Sequence, residues 1–418
     1  MHASNAARVG LLSLVILVSI GPALNMLAPA PCPGGGVDPE AIVPAWVGSV
    51  GVAQAIPSFT RKFNVPCQTC HLAPPYLNAF GRKFMETGYR MPDEEGVIDE
   101  EMQNHQHVND NLTLEKMLPL AMRLASVPVS ASTSEPAQFQ PFAGYDLIAF
   151  GNFFRIGSFH FAMGGGAEDD FVPAGDGRMG IHPSPYLNVV AGFGGPFSAD
   201  PYNTFRTDDI GLTRTVKAPL ADGHTGGLAF ADDMQFLEAY GRAGMFFYSA
   251  GILGEPNAVT GNTPQLGMAR LAVDPMENLS FGAFGLGGRR PKNDEAGVAA
   301  DATVWRAGVD ADATFADVTG VAAFLVAGDQ LDEGTEQVNL GGFVEGLYTL
   351  RLEGRPILMP LARLDWVQEE GANVLQGTLD VSTWVFENTR VGMEGSYQST
   401  IGQDDGDLVG SLFADVVF

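Results

Sequence analysis

The chain has 418 residues, with 23 Lys plus Arg against 49 Asp plus Glu and a formal net charge of -26. That balance argues against nucleic acid as a partner, because phosphate contacts need clustered basic side chains, and against a polybasic membrane-surface protein. An apolar content of 45% rules out a charged disordered chain, 52 glycines without a three-residue repeat rule out collagen, and three cysteines are too few for a disulfide scaffold.

Residues 1–55 read as a removable leader. Val9 to Ile20 is an apolar run preceded by Arg8, and Val52-Ala53-Gln54-Ala55 offers a small-x-small cleavage site. Export with cleavage is the expectation. Cys32 then leaves with the leader, and Cys67 and Cys70 remain.

Cys67-Gln68-Thr69-Cys70-His71 is the sharpest signal in the chain. Two thiols at this spacing can each form a thioether with a haem vinyl group, and the next residue supplies an imidazole to the iron. A structural zinc would need two more good ligands nearby. A redox dithiol would sit between a strand and a long helix of an α/β unit, and no such pattern surrounds this one. The motif predicts one covalent haem c, held by Cys67 and Cys70 with His71 as proximal ligand. Pro74 or Pro75 can open a helix in which Leu77, Phe80 and Phe84 share a face, with Gly88-Tyr89 ending it. Arg61, Lys62, Arg82, Lys83 and Arg90 stand against Glu86 in this segment. It is a basic island in an acidic chain, suited to haem propionates or to an acidic scaffold. The second axial ligand stays open. His105 and His107 are the histidines nearest the motif, Met85, Met91 and Met102 are thioether candidates, and an open site is a third possibility.

Residues 56–139 are therefore expected to form a small α-helical haem head and linker. Leu114 to Leu124 has apolar residues at helix spacing, interrupted by Pro119.

From about 140 to 418 the texture changes to short segments separated by Gly, Asp, Asn and Pro. Several alternate. Trp305, Ala307 and Val309 oppose Arg306, Gly308 and Asp310. Ala362, Leu364 and Trp366 oppose Arg363 and Asp365. Val391, Met393 and Tyr397 oppose Arg390, Glu394 and Ser396. Leu412, Ala414, Val416 and Phe418 oppose Asp415. An apolar outer face with a polar inner one suits an all-β transmembrane barrel. The length accommodates about 16 antiparallel strands, each long enough to cross a bilayer when tilted. Glu238, Glu345, Arg363 and Asp365 are expected to face the lumen, with Arg–Asp pairing across strands. Acidic groups at 168–170, 232–233 and 404–405 would be turns or loops.

The order of parts resembles the fused monohaem cytochrome–porin family, which includes outer-membrane iron-oxidising cytochromes. The likeness is carried by Ile56-Pro57-Ser58-Phe59-Thr60-Arg61-Lys62-Phe63 before the haem motif. It continues in Leu77-Asn78-Ala79-Phe80-Gly81-Arg82-Lys83-Phe84 and Gly88-Tyr89-Arg90, and in the barrel-like region to Phe418. The resemblance implies a haem head in the barrel mouth or lumen and a Gram-negative outer-membrane location. It implies electron flow from extracellular Fe(II), or another reductant, to a periplasmic cytochrome or similar carrier. The residues themselves also admit a haem-containing porin or redox sensor, and a peroxidase-like enzyme with an open iron site.

Overall fold

The computed structural model describes Phe59, Lys62, Phe63 and Val65, residues 69–73, 76–91, 105–109 and 112–115, and most of 120–417. The parts of that last span left aside are 154–155, 167–173, 196–233, 255–265, 290–302, 331–335, 353–354, 370–371, 387 and 403–405. The leader, Cys67, the acidic groups at 168–170, 232–233 and 404–405, and Phe418 lie outside the described residues.

The motif runs into β1 (His71–Ala73), which pairs with β2 (Tyr76–Leu77) ahead of α1 (Ala79–Glu86). Asn78 caps α1, its Oδ1 accepting from the Gly81 N–H at 2.8 Å. The predicted proline start thus moves to Asn78. The helix ends as expected at Gly88 and Tyr89, both at positive φ. The Gly88 N–H donates to Met85 O and the Tyr89 N–H to Phe84 O, which closes the last turn with two back-bonds. β3 (His105–Asn109) and β4 (Leu112–Glu115) form a small antiparallel pair.

The wall follows. Its strands are β5 (Leu120–Ser132), β6 (Gln138–Phe153), β7 (Gly157–Gly166), β8 (Ala174–Ser184), β9 (Leu187–Gly194) and β10 (Met234–Ala243). Next come β11 (Phe246–Gly254), β12 (Leu266–Met276), β13 (Leu279–Arg289), β14 (Thr303–Phe315), β15 (Val318–Gln330) and β16 (Glu336–Tyr348). After the short β17 (Leu350–Leu352) it finishes with β18 (Arg355–Glu369), β19 (Ala372–Phe386), β20 (Thr389–Thr400) and β21 (Gly406–Val417). Each pairs antiparallel with its neighbour, and β21 closes onto β5. Among the described residues this is a closed barrel of 16 strands, with β17 as a short extension pairing β18. The expected count holds, but the wall begins earlier than expected. The stretch 114–124, expected to be a linker with a helical patch, contributes β4 and the start of β5 instead. A strand with Ala121, Ala125 and Val127 buried wins there because it supplies the edge that β21 needs.

The alternation resolves as inside and outside. Arg306, Asp310, Arg363, Asp365, Arg390 and Glu394 are buried on the inner face, while Val309, Leu364 and Tyr397 stand exposed on the outer one. Outward apolar side chains recur around the ring, Leu237, Leu271, Phe281, Phe324, Val344 and Leu379 among them. A closed ladder leaves no unpaired edge, and this exterior suits lipid rather than water. Among the described residues no helix is long and apolar enough to cross a membrane.

The two ends differ. One carries short turns, at 154–156, 185–186, 244–245, 277–278, 316–317 and 387–388. The other carries most of the longer connections, 195–233 the longest, along with the two-residue 370–371, while 349–354 lies at the first end.

Candidate functional site

The site lies at the short-turn end. Every wall residue to which the segment 59–91 is tied stands within a few positions of a short turn.

The motif is anchored to α1 first. The Asn78 N–H donates to Cys70 O at 2.9 Å, and Asn78 Nδ2 donates to Thr69 O at 3.0 Å. A Cβ on Gly81 would be driven into the Cys70 carbonyl and would press on Leu77. Only glycine lets the helix come this close. Cys70 is half-buried and His71 is 8% exposed. The helix's apolar face packs as a ring cluster. Phe84 lies edge-on to Phe59 (4.9 Å between centroids) and to Phe63 (5.5 Å), with Phe80 at 6.3 Å and Tyr89 at 6.1 Å. Phe59 then reaches the wall, its ring 3.8 Å from that of Phe150, beside Ile148 and Ala162. Met85, one of the thioether candidates for the iron, packs against the apolar inner wall of β10–β18.

Polar ties complete the docking. Arg242 on β10 donates to both carboxylate oxygens of Glu86, at 2.8 and 2.7 Å, and to Asp274 at 2.5 Å. Arg82 donates to Asp312 at 3.3 Å. Lys62 Nζ donates to Asn152 Oδ1 at 2.7 Å, and Asn152 Nδ2 donates to Gly88 O at 2.7 Å. Arg90, fully buried, donates to Gly157 O at 2.5 Å. Beneath Gly88 sits His182, bonded to Ser158 at 2.7 Å and Asn188 at 3.1 Å. Tyr240 OH donates to Glu86 O at 2.9 Å and lies 3.3 Å from His182 Nδ1. The basic island of the sequence thus meets an acidic wall at Asp312, and also accepts a wall arginine through Glu86.

The structure brings Cys70 and His71 together on one turn. Cys67 lies outside the described residues. His105 and His107 fall on β3, and their side chains lie outside the described residues. Sequence reasoning missed Asn152, His182, Tyr240, Arg242 and Asp312. Their one sequence signal was a polar residue at every second position near a strand end, as in Glu238-x-Tyr240-x-Arg242.

Above the site the inner wall is a ladder of ion pairs. Arg270 grips Asp310 through two bonds of 2.6 and 2.8 Å, and Arg306 grips Asp329 at 2.6 and 3.0 Å. Arg363 donates to Asp365 at 2.9 Å and lies 3.5 Å from Glu345. Asp415 accepts from Arg390 at 2.6 Å and from Arg123 at 3.1 Å, and Arg123 also reaches Asp146 at 3.1 Å. The expected Arg–Asp pairing of lumen residues is present.

The residues present fit a c-type haem in their chemistry. Cys70 and the buried His71 imidazole are adjacent, and the motif rests against α1 at Gly81, the helix whose apolar face carries the ring cluster.

No family model matches the chain, and no curated protein does. Solved structures similar to it include porins and other outer-membrane proteins. The anion-selective porin of Comamonas acidovorans is 9% identical with a TM-score of 0.56, over 72% of this chain and 99% of that one. In-vitro folded OmpT of Vibrio cholerae, in its trimer form, is 13% identical with a TM-score of 0.55, over 72% and 99%. OmpF of Salmonella typhi, in complex with daunomycin, is 10% identical with a TM-score of 0.54, over 75% and 100%. At such identities the likeness is one of fold: this chain has a porin-like barrel.

Proposed function

We propose that this protein passes electrons across the outer membrane of a Gram-negative bacterium. Its means is one haem c bound at Cys67 and Cys70 with His71 as proximal ligand. The observation that supports the reading is the Cys67-x-x-Cys70-His71 spacing on a segment whose helix α1 is tied to the inner wall of a closed barrel. In bacterial outer-membrane barrels the short turns face the periplasm, which puts the head on the periplasmic side of an exported chain.

When bound, a haem supplies reversible one-electron exchange between Fe(II) and Fe(III). The chain's own residues do the rest. Gly81 and Asn78 hold the motif against α1. Phe59, Phe63, Phe84 and Tyr89 keep water from the head's interior, which favours the less charged reduced state. Arg242, Asp312 and Asn152 fix the head to the wall. His105 and His107 are the proposed candidates for the second axial position. An outer-membrane apolar band is about 25 Å tall, too wide for one efficient hop. The proposed donor, extracellular Fe(II) or another reductant, therefore approaches through the lumen, and a periplasmic cytochrome or similar carrier takes the electron at the turn end.

The test is a visible spectrum of the purified, detergent-solubilised chain, followed by rapid mixing with Fe(II). The expected result is one thioether-linked haem per chain, reduced by Fe(II), with reduction lost in His71→Ala. A colourless preparation from cells that mature other c-type cytochromes overturns the proposal. A haem that no Fe(II) form reduces overturns the donor.

A further inference from the structure

The inner wall between β19 and β20 breaks the pattern of the ladder. Asp380 stands directly opposite Glu394 in the strand register, and both face inward, 1% and 5% exposed. Side chains directly opposite in an antiparallel pair have Cβ atoms about 5 Å apart, and like charges there repel. The arginine whose charge bears on Asp380 is Arg390, and it directs Nε and Nη2 to Asp415. Arg363, one strand away, is turned to Asp365 and Glu345. Neither carboxylate oxygen of Asp380 has a hydrogen-bond partner among the described residues.

A separate sign comes from Ser382. Its hydroxyl is also buried, at 1% exposure, and also without a partner among the described residues. It sits two positions along the same inner face, near enough to bear on the Asp380 carboxyl yet outside hydrogen-bond geometry. Three oxygens on adjoining inward positions, two of Asp380 and one of Ser382, are thus without a hydrogen-bond partner among the described residues, across the register from a second carboxylate. Buried polar groups are satisfied in native proteins, and such exceptions point to something bound. A shared proton would cancel one charge and occupy one of these oxygens. A hard divalent cation cancels both charges and takes carboxylate and hydroxyl oxygens together.

We propose that Asp380, Glu394 and Ser382 form a lumen-wall site for a hard divalent cation. Among the described residues no three His, Cys, Asp or Glu side chains form a metal-holding group. The pair therefore takes its remaining ligands from Ser382 and solvent. The site belongs to the barrel wall and does not rest on the haem reading.

The experiment is titration of the full-length protein, stripped of metal in detergent, with Mn(II), the free ion being read by electron paramagnetic resonance. One Mn(II) per chain is expected. Affinity should fall at least tenfold in Asp380→Asn and in Glu394→Gln, and severalfold in Ser382→Ala. Each variant should keep the heat-modifiable gel mobility of a folded barrel. Wild-type protein that binds no Mn(II), or an Asp380→Asn/Glu394→Gln double variant that binds it unchanged, overturns the site. So does an infrared band of a protonated carboxyl that disappears in Asp380→Asn and is indifferent to Mn(II), since the pair would then hold a proton. Because Mn(II) binding is read without haem, a colourless but Mn(II)-binding protein would sink the electron-transfer reading and leave this one standing.

Discussion

At the scale of single residues, Gly81 decides whether the motif can rest on its helix. A methyl group there has no room, because the obstacle is the backbone carbonyl of Cys70 and not the end of a flexible side chain. Gly81→Ala should therefore push the motif off α1, at a cost of about 1–3 kcal/mol as for other overpacked sites. Haem content per folded chain is the measurement, and a clear drop is expected with the barrel's heat-modifiable mobility unchanged. Asp415 poses a different residue-scale problem. It accepts from Arg390 on β20 and from Arg123 on β5, across the seam where the last strand meets the first. Asp415→Ala would leave the buried Arg390 guanidinium and the half-buried Arg123 one without the carboxylate they share, Arg123 keeping Asp146. Losing one member of a buried charged set costs about 3–5 kcal/mol. The urea midpoint for unfolding from lipid vesicles should fall accordingly, and an unchanged midpoint would mean the seam is held by backbone pairing alone.

At the scale of elements, the wall obeys a rule of period two, and that rule was legible. The segments around Arg306, Arg363 and Arg390 read correctly as to face because polar and apolar residues there alternate without a break. β5 was not legible. Leu114, Met117, Leu118 and Met122 happen to fall at helix spacing, and the pairing with β21 that overrides them lies at the far end of the chain. The cap of α1 was misplaced for a local reason: two prolines are as good an opening as Asn78 until the Gly81 N–H is seen to find the Asn78 side chain. The docking contacts were hidden more deeply. Arg82 and Asp312, or Glu86 and Arg242, are distant in sequence, and no spacing announces a partner on the opposite side of a closed sheet. The outward face makes its own prediction. Leu364 is 59% exposed near the middle of β18, beside buried Arg363 and Asp365. Leu364→Arg should destabilise the protein in vesicles by about 2–4 kcal/mol, the depth-dependent cost of a cation on the lipid side of a barrel. The same change should cost far less in detergent micelles that wet the side chain. Equal losses in both would argue that Leu364 does not face lipid.

At the scale of the whole molecule, the head docks on the inner wall of the barrel at one end, which suggests a stopper in a tube. The head is held by a few polar ties and by the contacts of the Phe59 and Tyr89 rings with Phe150, all at one rim. A stopper of this kind is expected to block ions while it is seated. Arg242 and Asp312 come from different strands and bind different residues of the helix, so removing both should loosen the head without touching the strand ladder. The Arg242–Glu86 tie is part-buried and the Arg82–Asp312 tie buried, and a charged hydrogen bond of this kind contributes about 1.5–3 kcal/mol. Together they stand against ring contacts among Phe59, Tyr89 and Phe150, which contribute about 0.5–1.5 kcal/mol per pair beyond burial. The Arg242→Ala/Asp312→Ala protein should therefore spend a measurable fraction of time with its mouth open. In planar bilayers the wild type is expected to pass little current, and the double variant to show discrete openings, with cations favoured by the acidic interior. Protease added at the turn side should cut the head of the variant faster than that of the wild type. A variant as silent and as resistant as its parent would show that the aromatic cluster alone seats the head. The polar ties would then set its orientation instead of its retention.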